Sequence, residues 1–313
     1  MARAVVAGGG NGLEGIEVID VESRPPGPGE VVVAVEATAI SPFDLKRAGG
    51  LIRDPASVPP LRLGNEASGV VTATGPQAIG FEGEPLTVGD EVFGHWIPGA
   101  QASELTVPAA LLLRRPAALG FVAAAALLGS GTAAEHAVVA ADVGSNDVVL
   151  VHGASGSVGG MAARLARLRG AHVIGTAAQM RHGKLRAAGV EPVTYGPGLE
   201  ERVRELAPGG VTAAIDAVGT EEAIAVSVAL VPDRRRIVTL ANFGAALAEG
   251  AQALGPGPDT ERIRTAARLG LTRLAAAGDL VVDVVAEFPL EKPRDAYALL
   301  AGGHAGGKIV LRP

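Results

Sequence analysis

The sequence predicts an α/β protein in which a β-rich N-terminal domain precedes a parallel β-sheet flanked by helices. Two patterns indicate this fold class. Short Val-rich runs separated by turn residues fill the first part of the chain, and after about residue 120 apolar runs alternate with helical patterns. The length of 313 residues suggests about two domains. We expect one domain at 1–120 together with 263–313, and a second at 121–262.

The first domain contains short apolar segments bounded by Gly, Pro and Asp, which is the pattern of β-strands. The expected strands are ARAVVAG, GIEVIDV, GEVVVAVEATAI, ASGVVTATG, DEVFGHW and SELTVPA. One short helix is expected at SPFDLKRAG, where Ser41 would cap the helix and Pro42 would occupy its first turn.

In the second domain, apolar segments followed by helical patterns predict a parallel sheet with helices on both faces. The expected strands are DVVLVHG, AHVIGTA, EPVTYG, VTAAIDAVG and RRRIVTLAN. The C-terminal tail then reads as a strand, a helix and a strand, at GDLVVDVVAEFPL, EKPRDAYALLAGG and GKIVLRP. We expect this tail to return to the first domain.

Composition and charge exclude several classes of protein. With 48% hydrophobic and 19% charged residues, the chain is typical of a folded globular protein. The net charge is −6, and the densest basic run, at 233–237, reads as a solvated strand entry, so we expect no nucleic-acid partner. The start of the chain has only four apolar residues before glycine, too few for a signal-peptide core, and Gly129, Gly131, Glu135 and His136 interrupt the alanine-rich run. We expect a soluble, cytoplasmic protein without a membrane partner.

A glycine cluster lies within VLVHGASGSVGGMAARLARLRG, at Val149–Gly170, between an apolar strand and a helical pattern. This is the strand–turn–helix context of a loop that holds a dinucleotide pyrophosphate on a helix N-terminus. Gly156 would let the backbone approach the phosphates and Gly159 would let the helix pack closely, whereas Ala154 stands at the first glycine of G-x-G-x-x-G. The alternative is a tight turn without a ligand. The expected cofactor residues of this loop are Ala154, Ser155, Gly156, Ser157, Val158 and Gly159.

The segment after the next strand indicates which dinucleotide is bound. NAD sites usually place Asp or Glu there to hold the ribose 2′-hydroxyl, but Gly175–Lys184 contains no acid and has Arg181, His182 and Lys184. A guanidinium would bind a 2′-phosphate bidentately. We therefore expect NADPH, with Arg181 as the phosphate ligand and Thr176 as a further contact. The alternative is that these bases only begin a solvated helix.

Several motifs along the chain carry a resemblance to a known family. They are PGPGEVVVAVEATAISPFDLKRAG, LGNEASGVVTATG, VGDEVFG, GSGTAAEH, VLVHGASGSVG, VTYG, AIDAVG and GGKIVL. With them the chain resembles the medium-chain dehydrogenase/reductase superfamily and, within it, the zinc-free quinone oxidoreductase and enone reductase-like group. The resemblance implies a Rossmann-type doubly wound parallel sheet, a GroES-like N-terminal domain and a homodimer.

The zinc motif of the metal-dependent relatives is altered in this chain. Those relatives have Gly-His-Glu where this sequence has Gly64-Asn65-Glu66, and they use cysteine ligands, which this chain lacks entirely. A tetrahedral zinc site of that type therefore cannot form, and we expect no metal. Four histidines show no metal-ligand spacing: His136, His152, His172 and His304.

The resemblance also implies cofactor contacts outside the glycine cluster. Thr132 would lie near the nicotinamide or the phosphates, Tyr195 near the adenosine phosphate, and Val218 along the cofactor. Asn242 would approach the nicotinamide. Two alternatives remain open: Thr132 is an ordinary helix residue, and Asp216, just before Val218, only caps a turn.

On the substrate side, SPFDLKRAGG resembles the Asn-Pro-x-Asp-x-Lys-Arg stretch of enone and quinone reductases, with Ser41 in place of the Asn. The resemblance implies a catalytic role for Lys46, whose ammonium would stabilise the enolate formed by hydride addition or relay a proton. The alternative is a solvated lysine. The expected substrate-binding residues are Ser41, Phe43, Asp44, Trp96 and Phe243.

The expected pocket departs from its relatives. They often have Gly-x-Tyr-Ala-Glu-Tyr where this chain has GAQASEL, so Gln101 and Glu104 replace two aromatic residues. The loop at 95–99, with Trp96, could cover the site and exclude water. This pocket favours a specialised, polyketide-like enone or quinone over a generic small quinone.

We therefore expect an NADPH-dependent reductase that transfers hydride to a quinone or to the C=C bond of an α,β-unsaturated carbonyl. Two alternatives remain open. One is a non-catalytic NADPH-binding redox sensor, and the other is a carbonyl reductase.

Overall fold

The computed structural model describes residues 1–8, 12–52, 60–303 and 305–313. These residues form two compact units. The β-rich unit comprises Met1–Gly129 and Val282–Pro313, and the parallel-sheet unit comprises Ser130–Val281. His304 lies outside the described residues. The domain boundaries expected at 120 and 263 stay a prediction.

Strands predominate in the first 120 residues, and strands alternate with helices through most of the rest of the chain. The strands are β1 Ala2–Ala7, β2 Ile16–Val21, β3 Glu30–Ile40, β4 Leu61–Arg62, β5 Glu66–Thr74, β6 Glu91–His95, β7 Glu104–Pro108, β8 Leu112–Arg114, β9 Val148–His152, β10 His172–Thr176, β11 Glu191–Val193, β12 Ala213–Asp216, β13 Ile237–Thr239, β14 Gln252–Ala253, β15 Val284–Pro289 and β16 Lys308–Arg312. The helices are α1 Pro42–Ala48, α2 Phe121–Ala140, α3 Ser157–Leu168, α4 His182–Ala187, α5 Leu199–Leu206, α6 Glu221–Leu230, α7 Phe243–Ala248, α8 Pro258–Ala277 and α9 Pro293–Ala301.

The β-rich unit is built on a largely antiparallel sheet in the order β15-β16-β3-β5-β6-β8, with β7 also pairing with β3. A smaller sheet has the order β2-β1-β4. Most residues of β3 are buried, and Val31, Val33 and Val35, which share one face of the strand, belong to the core of this unit. In the C-terminal tail, β16 pairs with β3, so that Ile309 lies opposite Ile40 and the end of the chain joins this sheet.

The parallel-sheet unit has the strand order β11-β10-β9-β12-β13-β14, and every pair in it is parallel. Numbered from β9, this is the 3-2-1-4-5-6 order of the Rossmann fold. The order reverses between β9 and β12, and ligands of such sheets bind outside the carboxyl ends of the strands at that point. The predicted α/β fold class, a Rossmann-type doubly wound parallel sheet together with a β-rich N-terminal domain, is confirmed.

Some elements were absent from the predictions. The strands β4, β8 and β14 have only two or three residues, which is too short for a hydrophobic period to show. The predictions also include no element at 258–277, where α8 lies. Its ends are marked by Pro258 in the first turn and by Gly278, whose φ of +83° makes it a left-handed C-terminal cap.

The helix α2 is the apolar segment that the sequence already distinguished from a membrane span. It is long and apolar enough to cross a membrane by length and composition alone, but 72% of its most apolar window is buried within the protein. Burial of this extent is typical of a helix in the core of a protein.

Candidate functional site

The glycine loop after β9 takes its shape from two close approaches of the backbone. Gly153 has a φ of +74°, and a Cβ at this position would lie 2.4 Å from Cγ2 of Val218. The left-handed residue of the loop is therefore Gly153, one position before the Ala154 that the motif aligned with the first glycine. Ala154 is buried without a positive φ, so its methyl group needs no strained backbone there.

The start of α3 is packed directly on this loop. A Cβ at Gly159 would lie 2.3 Å from the carbonyl oxygen of Gly153, so only glycine fits. Gly156 is the N-cap residue of α3 and supplies no side-chain hydrogen bond to the helix. The first-turn N–H groups, at Ser157–Gly159, have no intrahelical partner by helix geometry. Uncapped donors at a close-packed helix N-terminus fit the pyrophosphate of a dinucleotide.

Thr176, at the end of β10, anchors the glycine loop. The Gly153 amide donates to Oγ1 of Thr176 at 2.9 Å, and the Ala154 amide donates to the Thr176 carbonyl at 3.0 Å. The Thr176 side chain is buried, so it supports the loop from the protein interior.

A hydrogen-bond network shapes the neighbouring strand ends. Oδ1 of Asp216 accepts from the amides of Val218 and Gly219, both at 2.9 Å, and its Oδ2 accepts from Oγ1 of Thr239 at 2.7 Å. Asn242 donates from Nδ2 to the Gly219 carbonyl at 3.3 Å. Asp216 therefore caps the turn that carries Val218. Sequence reasoning missed Thr239. Its position at the end of a strand, three residues before Asn242, could have indicated it.

The sheet topology brings most of the expected cofactor residues to one edge. The expected cofactor residues Tyr195, Val218 and Asn242 follow β11, β12 and β13, and the expected substrate residue Phe243 comes directly after Asn242. All four therefore lie at the carboxyl ends of parallel strands. Tyr195 and Val218 are each 48% exposed. Thr132 differs from them, because it is fully buried within α2.

Arg181 lies half-buried in the turn between β10 and α4. From Ala177 to Val190 the chain has no carboxylate, and the next acid is Glu191 in β11. No acidic side chain of this segment would therefore repel a 2′-phosphate.

His152 lies behind the glycine loop at the end of β9. Its Nε2 lies 3.0 Å from Oγ of Ser227, and that hydroxyl donates to the Ala223 carbonyl at 2.7 Å. Because the Ser227 hydroxyl proton is donated to that carbonyl, Oγ of Ser227 accepts the bond from His152. The proton of the neutral ring therefore lies on Nε2. Burial lowers the pKa of His152 to about 4, and the ring is neutral at pH 7. These contacts give His152 a structural role in the interior.

In the β-rich unit, α1 begins with the predicted cap. Ser41 accepts from the Asp44 amide, and the Asp44 side chain accepts from the Ser41 amide, which is a capping box. Lys46 projects as an exposed side chain, and Phe43 is 38% exposed. The guanidinium of Arg47 lies 5.9 Å from the centroid of the Phe43 ring.

Asp44 itself is buried, with an exposed fraction of 1%. Its Oδ1 accepts from the Gly64 amide and from Nδ2 of Asn65, both at 3.1 Å. Burial raises the pKa of this carboxyl above its ordinary value, while the hydrogen bonds from Ser41 and Gly64 oppose the rise.

Trp96 follows β6 in a strained conformation. Its φ is +65°, which is unusual for a bulky residue, and its side chain is 42% exposed. Its ring lies 4.7 Å from that of His95, centroid to centroid. A strained, half-exposed aromatic residue is a feature of ligand-binding loops.

Gln101 does not face solvent as a pocket residue would. It is fully buried, and its Oε1 accepts from the hydroxyl of Tyr297 at 2.9 Å. The amide oxygen of the residue that replaces an aromatic residue of the relatives therefore has its partner in α9, whereas the buried Nε2 has none among the described residues.

The altered zinc motif holds a different interaction. Glu66 and Lys308 form a buried ion pair, and Oε2 of Glu66 also accepts from the Gly129 amide at 2.8 Å. Sequence reasoning missed this pair, although both residues stand in quoted motifs. Among the described residues, no three His, Cys, Asp or Glu side chains group together as metal ligands.

Two family models match the chain. Residues 27–152 match the alcohol dehydrogenase GroES-like domain, and residues 191–311 match the zinc-binding dehydrogenase family. A mycocerosic acid synthase-like polyketide synthase of Mycolicibacterium smegmatis is 30% identical over 99% of this chain but only 15% of its own length. The chain thus spans about 15% of the length of such curated relatives.

Solved structures match over the whole chain. A quinone oxidoreductase of Pseudomonas syringae has a TM-score of 0.86 and 26% identity, covering 100% of both chains. Mycobacterial Rv1454c complexed with NADPH has a TM-score of 0.86 and 25% identity, again over 100% of both chains. An NAD-dependent alcohol dehydrogenase has a TM-score of 0.86 and 28% identity over 99% of each.

These matches agree with the strand order of the parallel sheet and with the glycine loop at its switch point. The chain belongs to the medium-chain dehydrogenase/reductase superfamily, and quinone oxidoreductases are among its structural neighbours.

Proposed function

We propose that this protein is an NADPH-dependent reductase that transfers hydride to a quinone or to the C=C bond of an α,β-unsaturated carbonyl. The observation that carries the proposal is the glycine loop at the β9–β12 switch point, where Gly153 and Gly159 bring the uncapped N-terminus of α3 against the loop. That arrangement suits a dinucleotide, and the superfamily supplies the oxidoreductase chemistry.

The proposed cofactor is NADPH rather than NADH. Support comes from the carboxylate-free segment around Arg181 and from the neighbour complexed with NADPH, while the NAD-dependent neighbour represents the competing choice. The residues proposed to hold the cofactor are Thr132, Ala154, Ser155, Gly156, Ser157, Val158, Gly159, Thr176, Arg181, Tyr195, Val218 and Asn242. Among them, Thr176 acts by shaping the loop.

In the proposed mechanism, the bound cofactor supplies a hydride for the electrophilic carbon of the acceptor. The Lys46 ammonium stabilises the negative charge that develops on the carbonyl oxygen, and solvent protonates the resulting enolate. The residues proposed to bind the acceptor are Ser41, Phe43 and Trp96 in the β-rich unit and Phe243 in the parallel-sheet unit. We propose that this chemistry needs no zinc, because Asn65 stands where relatives have a histidine ligand and the chain has no cysteine.

The acceptor is proposed to be polyketide-like. The polyketide synthase relatives support this, since an enone of that kind carries a C=C bond conjugated to a carbonyl. We further propose that the protein is cytoplasmic. We also propose that it is a homodimer, which light scattering of the purified protein would test.

The test is oxidation of NADPH and NADH, followed by absorbance, against a panel of quinones, enones, enals and ketones. We expect turnover of quinones or enones, with a higher kcat/KM for NADPH. Binding of NADPH without turnover of any acceptor would identify a redox sensor instead. Turnover of ketones alone would identify a carbonyl reductase, and equal efficiency with NADH would refute the cofactor assignment.

A further inference from the structure

The buried carboxylate of Asp44 accepts hydrogen bonds on both oxygens. Oδ2 accepts from the amide of Ser41 at 2.9 Å and from its hydroxyl at 2.7 Å. Oδ1 accepts from the Gly64 amide and from Nδ2 of Asn65, both at 3.1 Å. With 1% of its surface exposed, Asp44 has no free face to offer to a substrate.

The two oxygens serve two different segments. The bonds to Ser41 fix the start of α1, which carries Phe43 and Lys46. The bonds to Gly64 and Asn65 fix the turn that precedes β5.

That turn in turn holds the Trp96 loop, which we define as residues 95–101. Ile97 donates to the Asn65 carbonyl at 2.9 Å, and Gly99 donates to the Gly64 carbonyl at 3.1 Å. Gly64 has a φ of +97°, and a Cβ there would lie 2.4 Å from the Gln101 nitrogen, so the loop is packed against the turn. Every link from Asp44 to the Trp96 loop is thus a hydrogen bond or a close contact.

We propose that Asp44 is a positioning residue that fixes α1 relative to the Trp96 loop, so that Phe43, Lys46 and Trp96 keep one geometry. The inference rests on the proposed function, in which these three residues face the acceptor. A carboxylate suits the task because it accepts on both oxygens, and hydrogen bonds to an ionised acceptor are roughly twice as strong as neutral ones.

The proposal also explains the residue at position 65. The Asn65 side chain donates an amide N–H to Asp44, and the backbone carbonyl of Asn65 accepts from the Ile97 amide. The residue that replaces the zinc-ligand histidine of the relatives therefore links the two segments.

The test uses Asp44→Asn, in which an amide nitrogen faces donors that it cannot satisfy. Trp96 is the only tryptophan of the chain, so intrinsic fluorescence reports on this loop alone. We expect acrylamide quenching of Trp96 to rise about twofold and the KM for the acceptor to rise about tenfold, the size expected for misplaced binding groups. The Kd for NADPH should stay within about twofold, because the glycine loop is untouched.

Asp90→Asn is the matched control. Asp90 organises a turn of the same unit, accepting from the Thr87 amide at 2.8 Å and pairing with Arg114 at 3.0 Å, and it bonds to neither segment. We expect wild-type quenching and KM in this variant. The same changes in both variants would show a general loss of order and would overturn the proposal.

A second variant covers the case in which Asp44→Asn does not fold. Asn65→Ala removes one donor and leaves the capping box intact, and it should change quenching and KM in the same direction by a smaller factor. Wild-type quenching and KM in whichever variant folds would overturn the proposal. If the wild-type protein reduces no acceptor, the proposed function fails, and the quenching comparison alone decides whether Asp44 holds the Trp96 loop.

Discussion

The glycine loop of the parallel-sheet unit and the Trp96 loop of the β-rich unit are both attached to strand ends, but different forces shape them. The glycine loop is one contiguous stretch, 153–159, whose form follows from a positive φ, two close backbone approaches and hydrogen bonds to Thr176. The Trp96 loop depends on three separate segments, and a buried carboxylate joins two of them.

This difference shows how each site responds to mutation. A loop shaped by backbone sterics is damaged by any added side chain at its tight positions. A loop held by a carboxylate is damaged by loss of charge or of a donor at a distance from the aromatic ring it presents. The following predictions test this contrast.

The largest effect is expected from Gly159→Ala. The new methyl group would lie 2.3 Å from the Gly153 carbonyl oxygen, so the loop or the helix must move. We expect the displaced loop to bind NADPH about 50-fold more weakly, a loss of roughly 2–3 kcal/mol of binding free energy. Titration calorimetry would measure it. The control is Gly270→Ala in α8, where an added Cβ meets no atom within 4 Å. Equal Kd values for the two variants would contradict the steric account.

The next effect concerns the exposed cation of α1. Lys46→Ala should lower kcat by at least about tenfold, because the developing enolate loses its charge partner, while the Kd for NADPH stays unchanged. Steady-state kinetics with the best acceptor of the panel would measure it. Lys292→Ala removes another exposed lysine of the same unit and should be neutral. An unchanged kcat in Lys46→Ala would remove Lys46 from the mechanism.

A comparable or smaller loss of activity is expected when Arg181, the proposed ligand of the 2′-phosphate, is removed. Arg181→Ala should lower kcat/KM with NADPH by about tenfold and leave kcat/KM with NADH unchanged, since only NADPH has a 2′-phosphate. Arg186→Ala, on the exposed surface of α4, is the control. A parallel loss with both cofactors would mean that Arg181 supports the fold instead.

The smallest effect is expected at Asp147, which directly precedes β9 and so lies at the opposite end of this strand from the glycine loop. Asp147 accepts two 2.8 Å hydrogen bonds from Arg236, and this partner lowers the pKa of Asp147 to about 2. Because the pKa of Asp147 in the folded protein lies below its value in the unfolded chain, its ion pair stabilises the fold fully above about pH 4. This stabilisation is lost as the pH falls towards 2. Asp147→Asn should therefore cost about 1–2 kcal/mol of unfolding free energy at pH 7, allowing for solvent screening, and less at pH 3.

Urea unfolding at both pH values would measure this difference, with the exposed Asp279→Asn as a control expected to match the wild-type protein. NADPH affinity should be unchanged in Asp147→Asn. A pH-independent loss would show that charge plays no part in it.

Local patterns predicted those parts of the molecule that are contiguous in sequence. The Ser41 cap and Pro42 predicted α1 correctly, and the strand–glycine–helix pattern located the loop after β9. The pattern assigned the first tight position to Ala154, whereas the backbone turns at Gly153, because a motif fixes spacing but not φ. The assignment of the cofactor and substrate residues remains a prediction.

The sequence by itself determined the fold class, the superfamily and the position of the glycine loop after β9, because each of these follows from short-range patterns of apolar residues and glycines. Only the tertiary structure decided which polar groups meet inside the β-rich unit. Glu66 and Lys308 form an ion pair although 242 positions separate them in the chain. The Gln101 side chain accepts a hydrogen bond from Tyr297, and Asp44 accepts one from Asn65. No local pattern specifies such partners, because a buried polar group must be satisfied by whichever donor or acceptor the packed sheets bring to it.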